Sequence, residues 1–217
     1  MKMCLIFLTF MLSLNSWSQV ERKPNEIKIN PIRLAGIFRS SFEMSYERKT
    51  SDYFSSQIGF GYIFEKNISG NPTEKNKKGF TLELEEKYYF EGDIAYVAVS
   101  LFYLHENYNL TKIFIDKDAP YSPDAFFQNT YLDEFNLDKQ IVKPSLKFGI
   151  KFITESNVVF DLNLGVGAKY KIVKHQNRDN IKDNMQIRRG DFGSALYKRG
   201  ESWTPNLICN FKIGYQF

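Results

Sequence analysis

Trp203-Thr204-Pro205-Asn206-Leu207-Ile208-Cys209-Asn210-Phe211-Lys212-Ile213-Gly214-Tyr215-Gln216-Phe217 closes the chain with an apolar residue at every second position. The intervening set is polar or glycine, broken only by Ile208. Successive side chains of a β-strand point to opposite faces, so this segment reads as a strand with one oily face and one wet face.

Working back from that end, the design repeats. Val158, Phe160, Leu162, Leu164, Val166, Ala168, Tyr170 and Ile172 share one face, against Asp161, Asn163, Gly165, Gly167, Lys169 and Lys171. Residues 142–152 set Val142, Pro144, Leu146, Phe148, Ile150 and Phe152 against Lys143, Ser145, Lys147, Gly149 and Lys151. Residues 80–90 set Phe80, Leu82, Leu84, Tyr88 and Phe90 against Thr81, Glu83, Glu85, Lys87 and Tyr89. Residues 54–64 and 42–48 follow more weakly. Residues 94–108 are rich in strand formers but apolar on both faces. Residues 26–35 lose phase at Pro31, which marks a bulge or a strand break. The total is eight strands, an even number, as single-chain bacterial barrels require. Several run to the length of about 9–11 residues with which a tilted strand crosses a bilayer, against about five or six in an ordinary sheet.

The spacing of the connections points the same way. Residues 50–53, 91–93 and 154–157 are tight turns, whereas 65–78, 109–139 and 173–200 are long. Short turns on one rim and long loops on the other are the layout of an outer-membrane barrel; only 36–40 is a short connection on the long side. The expected fold is therefore an all-β, eight-stranded antiparallel up-and-down transmembrane β-barrel, a single domain over residues 19–217. A soluble β-sandwich is the competing fold.

The start of the chain reads as an export signal. Lys2 precedes an apolar run from Cys4 to Leu14, too short to span a bilayer as a helix, and Ser16 and Ser18 place small residues where a signal peptidase cuts. Residues 1–18 are expected to be a signal peptide cleaved after Ser18, placing the mature chain in the bacterial outer membrane. Only Cys209 then remains, so no intramolecular disulfide can staple the fold. Aromatic residues make up 16% of the chain, mean hydropathy is −0.38, and no later segment approaches a transmembrane helix. A strand-built membrane protein reconciles these, because it hides its apolar residues in alternation.

An eight-stranded ring holds side chains but no aqueous channel. Its wet faces carry Glu43, Glu47, Glu83, Glu85 and Asp161 against Lys87, Lys143, Lys147, Lys151, Lys169, Lys171 and Lys212. Buried charges must pair or reach water, so a salt-bridged interior is expected rather than a pore. The second strand lies across the ring from the sixth, which sets Glu43 and Glu47 towards Lys143, Lys147 and Lys151. The fourth lies across from the eighth, which sets Glu83 and Glu85 towards Lys212. An ion path or ligand pocket is the rival use of these residues. Glu86 is the one acid on a lipid-facing row; it sits near the interface, lies on a bulged strand, or marks contact with an envelope protein partner.

Catalytic chemistry finds few carriers. A barrel-embedded lipid-modifying hydrolase or acyltransferase needs a Ser, a His and a carboxylate, and the chain has only His105 and His175. No metal-ligand cluster stands out, and Gly165-Val166-Gly167 lies within a strand, where small inward residues make room for lysine neighbours. No catalytic, cofactor-binding or metal site is expected. Residues 173–200 carry seven Lys/Arg and three Asp, and residues 109–139 carry three Lys and six acids. These segments can pair with each other, or the basic one can touch lipid phosphates. A pI near 8.8 does not by itself imply nucleic acid.

Asn30-Pro31-Ile32-Arg33, Ser45-Tyr46-Glu47-Arg48 and Tyr88-Tyr89-Phe90, with the Ser18-Gln19 junction, resemble an uncharacterised family of small outer-membrane β-barrels from Bacteroidota. The resemblance is best over the first four strands and implies an eight-stranded barrel without catalytic residues. Tyr215-Gln216-Phe217 resembles the aromatic end that barrel-assembly machinery recognises, which makes Tyr215 and Phe217 an insertion signal. The functional expectation is a structural or interaction role in the cell envelope, in contact with outer-membrane lipid. A lipid-modifying enzyme and a soluble periplasmic protein holding an apolar ligand are the alternatives.

Overall fold

The computed structural model describes residues 25–35, 41–65, 74–90, 94–115, 130–178, 184–185 and 197–217. The expected signal peptide, the 36–40 connection and the 91–93 turn lie outside them. The strands are β1 (Asn25–Ile29), β2 (Ser41–Lys49), β3 (Phe54–Phe64), β4 (Glu74–Tyr89), β5 (Ala95–Ile115), β6 (Thr130–Ile153), β7 (Val158–Gln176), β8 (Asn184–Met185) and β9 (Gly200–Gln216), with one short helix, α1 (Pro31–Ala35).

Every pairing is antiparallel, and the long strands follow chain order, with the two-residue β8 added only to the far end of β5. β4 pairs with β5 and β1 with β9, so the eight long strands form a closed cycle. The register can be followed around it. Ile213 of β9 faces Ile29, then Met44, Phe60, Leu82, Tyr103, Val142 and Tyr170 in turn, and the circuit returns to β9 at Trp203, ten residues before Ile213. A ring closed with such a stagger has strands that lean relative to its axis.

The first strand departs from the expectation for 26–35. It stops at Ile29, and Pro31 opens α1. Asn30 explains the switch: its side-chain Oδ1 accepts from the Arg33 N–H at 3.2 Å and its carbonyl accepts from the Leu34 N–H at 3.3 Å. An Asn N-cap followed by Pro at the first helical position favours a helix start. Helix α1 packs against both β2 and β9, where β1 would otherwise continue.

The segments expected as long loops are partly strand. β4 begins at Glu74, β5 runs on through Ile115, β6 starts at Thr130, and β7 extends to Gln176. These extensions were missed because polarity inverts along the strands while the period of two persists. On the outer row of β6, Val142, Leu146, Phe148 and Phe152 give way to Leu132, Glu134, Asn136, Asp138 and Gln140. The inner row does the opposite. Below Ile141 it carries Lys143, Ser145, Lys147 and Lys151; above, Phe135 and Leu137 are fully buried. β5 inverts at the same level, from outward Val97, Val99 and Leu101 to outward His105, Asn107 and Asn109, with Tyr108, Leu110 and Phe114 buried inside.

The interior is consequently layered. At the short-turn end Tyr89 and Tyr96 pack with ring centroids 5.3 Å apart. Gly149 faces Tyr96 across the β5–β6 ladder, and a Cβ there would come within 2.2 Å of the ring. The charged layer follows. Above it lies an apolar layer of Ile63, Phe102, Leu104 and Ile141, then a Lys139–Glu106 ion pair at 2.9 Å, then a core of Tyr108, Leu110, Phe114, Phe135, Leu137 and Val173. The outer surface around the charged layer is apolar and exposed, with Leu207 at 86% exposure.

Candidate functional site

The charged layer is the most concentrated chemistry among the described residues. Its centre is a four-membered cluster from four strands. Lys28 of β1 and Lys87 of β4 each place Nζ 2.6 Å from the same Glu47 oxygen of β2 and 2.8 Å from the same Asp161 oxygen of β7. Lys28, Lys87 and Asp161 have no solvent-exposed side-chain surface. Alternating two ammoniums with two carboxylates leaves each charge touching two of opposite sign, which offsets part of their desolvation.

The other oxygens of the two acids are held as well. The Tyr89 hydroxyl donates to the second Glu47 oxygen at 2.7 Å, as does Ser55 at 2.8 Å, and the Tyr96 hydroxyl donates to the second Asp161 oxygen at 2.5 Å. Asn163 donates to the Tyr96 oxygen and accepts from Asn210, both at 3.3 Å. Lys87 also lies over the Tyr96 ring and Lys151 over the Tyr89 ring, 4.5 and 4.4 Å from the centroids. Aromatic faces attract cations, so the two tyrosines bind the cluster through both hydroxyl and ring.

Two flanking groups complete the layer. Lys151 reaches Glu26 at 2.9 Å and Glu47 at 3.5 Å. Lys147 bridges Glu83, at 2.5 Å, and Glu85, while Lys212 meets Glu83 at 3.3 Å. Gln57, with its amide turned to suit its neighbours, donates to Glu47 at 3.2 Å and accepts from Lys212 at 2.7 Å, which ties this group to the centre. Gly165 makes room here, since a Cβ would lie 2.9 Å from the Lys147 side chain. The layer thus holds five lysines (28, 87, 147, 151 and 212) and five acids (26, 47, 83, 85 and 161), with no net formal charge.

The sequence-predicted residues divide accordingly. Glu47, Glu83, Glu85, Asp161, Lys87, Lys147, Lys151 and Lys212 meet in this layer. Their partners differ in part from those expected across the ring: Glu47 does reach Lys151, and Glu83 does reach Lys212, but Lys147 pairs with Glu83 and Glu85 rather than with the second strand. Glu43 stands apart, 3.8 Å from Arg33 of α1 and accepting from the Ser41 hydroxyl at 3.3 Å. Lys143 lies 3.9 Å over the Phe102 ring. Lys169 and Lys171 lie higher on the inner row of β7, opposite Thr204 and Ser202. Lys28 of the centre and Glu26 of the flank are not legible in the sequence, although Glu26-Ile27-Lys28-Ile29 carries the alternation, because Pro31 obscures it. Tyr96 was hidden in a stretch apolar on both faces.

Outside the layer, Glu86 faces outward on β4 and accepts from the Ser56 hydroxyl at 2.9 Å. Tyr215 and Phe217 are exposed, and Phe217 is tied to Asn25 by two backbone hydrogen bonds of 2.7 and 2.8 Å. His105 meets Asp138 at 2.9 Å on the outer row above the inversion. His175 bonds the Tyr197 carbonyl at 2.8 Å and packs on Phe135. Among the described residues no serine hydroxyl bonds either histidine, and no group of His, Cys, Asp or Glu could hold a metal ion. Arg178 of the basic segment meets Asp133 of the acidic one at 3.5 Å, and both are buried.

Comparison with known protein families, with curated proteins and with solved structures finds no match to this chain.

Proposed function

We propose that the chain is a small β-barrel of a bacterial outer membrane, exported by residues 1–18, closed to ions, and acting through its surfaces. One observation carries this reading: the polarity of each face inverts part-way up β5 and β6. Where the outside is apolar the inside is charged, and where the outside is polar the inside is a hydrophobic core. A sheet surrounded by water throughout gains nothing from exposing Leu101, Leu146, Leu164 and Leu207 together. In acyl chains that face is the favourable one, and above the bilayer the ordinary water-soluble arrangement returns. Outward Tyr62, Phe80, Tyr103, Tyr170 and Trp203 fall near the changeover, and Tyr46, Phe54, Tyr88, Tyr215 and Phe217 near the opposite rim, the aromatic girdles expected at the two interfaces.

The ring closure supports the same reading, because only a closed sheet satisfies its backbone in hydrocarbon. The neutral, buried charge layer makes the barrel a plug. The role is structural or interactive, shared between the lipid-facing wall, the outer cap of β5, β6 and β7, and any envelope protein that meets them. Tyr215 and Phe217 serve the assembly machinery during insertion. In membrane fractionation the mature protein should resist extraction by alkali and migrate faster unheated than boiled on gels. Recovery of a monomer in detergent-free buffer would refute the proposal.

A further inference from the structure

Among the described residues, the apolar band of the outward face carries a polar interruption on β2, β3 and β4. Along a single cross-strand row, Arg48 of β2 faces Ser56 of β3, which faces Glu86 of β4. Around them stand exposed Tyr46, Phe54, Ile58, Leu84 and Tyr88. Glu86 is the fourth of six outward residues from Phe80 to Phe90, well inside the apolar band. Among the described residues its one side-chain bond is from the Ser56 hydroxyl at 2.9 Å. Arg48 is exposed, and no ion pair joins it to any described residue. A carboxylate on a lipid-facing wall is costly and finds a partner where it can; Arg48 lies one outward position beyond Tyr46, at the short-turn rim.

Resting on the membrane reading above, we propose that this row is the interface of a two-fold dimer, in which Arg48 of each copy pairs with Glu86 of the other. Two copies inserted in the same direction are related by an axis along the membrane normal, which exchanges left and right and preserves height. With the axis at Ser56, each Arg48 comes opposite the other copy's Glu86, forming two equivalent bridges in an isologous contact. Because the strands lean, Glu86 stands higher than Arg48 by about 6 Å over two strand spacings, a span that an arginine stem covers. Ser56 is the small residue among large ones, so the surface is hollowed where the two walls come closest. Within one copy Arg48 and Glu86 are two strands apart, about 10 Å between Cα atoms, and they do not pair.

The test is cross-linking in outer-membrane vesicles. In a Cys209→Ser background, Ser56→Cys should form a disulfide-linked dimer on mild oxidation, and Leu164→Cys, on the opposite wall, should not. Arg48→Gln or Glu86→Gln should lower the yield at least tenfold, and the exchange Arg48→Glu with Glu86→Arg should restore it. The same samples are run unheated and heated. A heat-modifiable band without the Ser56→Cys dimer overturns the dimer and leaves the barrel standing, as does a cross-link to a protein of another mass. Unchanged yield in both glutamine variants also overturns it. A protein absent from the membrane fraction overturns both proposals.

Discussion

Lys87 shows how much a single side chain can carry in a ring this narrow. Its ammonium touches Glu47, Asp161 and Glu85 and lies over Tyr96, so Lys87→Met leaves three carboxylates short of a cation. Removing one member of a buried ionic group typically costs about 3–5 kcal/mol. Urea unfolding of the variant in lipid vesicles should show a loss of that size, and Lys87→Met combined with Asp161→Asn should cost less than the sum of the singles, since the two act as one unit. His175, on the outer cap, gives a second prediction. Burial holds its imidazolium below the usual histidine range, and Arg178 and Arg199 push the same way. A folded pKa below the unfolded one means that protons bind the unfolded state better. The stabilisation is complete above the unfolded value near 6.5 and is lost as pH falls through the folded value. Protection of the cap amides, corrected for the fall of intrinsic exchange with pH, should therefore drop below pH 6.5, and His175→Phe should flatten that dependence. At this scale the sequence was informative where the alternation was clean: Glu83, Glu85 and Lys87 stand on one legible row. Lys28 was lost to the helix that Asn30 and Pro31 start, because a capping signal and a strand period overlap within a few residues.

Along single elements, the inversion of β5 and β6 is the property with the clearest consequences. The outward positions of β6 lie on one face from Leu132 to Phe152, yet two solvents are implied for them. Leu146→Lys should destabilise the vesicle-bound protein by about 2–4 kcal/mol, the cost of a cation near the bilayer midplane. Gln140→Lys, six residues along the same row, should stay within about 0.5 kcal/mol, as surface substitutions do. Equal costs would mean one environment for the whole strand. Gly149→Val should be more damaging than either, because its side chain would occupy the Tyr96 ring position. The inversion also explains why residues 109–139 read as a loop. Phe135 and Leu137 belong inside, whereas the lower half of the strand puts its apolar residues outside, and a pattern sought with one fixed phase loses the strand where the phase turns over. The shorter turns were legible because Thr154 and Asn157 close theirs locally: the Thr154 N–H donates to the Val158 carbonyl at 2.9 Å and Asn157 takes a left-handed φ of 63°.

As a whole molecule, the protein combines a neutral charged layer, an apolar layer above it and a water-type core on top, all within one closed sheet. If that stacking closes the bore as proposed, the protein reconstituted in planar bilayers should give no ohmic conductance, in contrast to open porins. The count of strands and their chain order were accessible from periodicity. The stagger of ten residues was not, since register depends on which residues face each other around the full circuit.

The central claim is that one strand passes from acyl chains into water. Spin labels placed singly at Phe148, Leu146, Val142, Gln140, Asp138 and Glu134, in protein reconstituted into vesicles, read this directly by their accessibility to oxygen and to a water-soluble nickel complex. Oxygen-dominated accessibility is expected at the first three positions and nickel-dominated accessibility at the last three, with the changeover between Val142 and Gln140. Nickel-dominated accessibility along the entire row would contradict it.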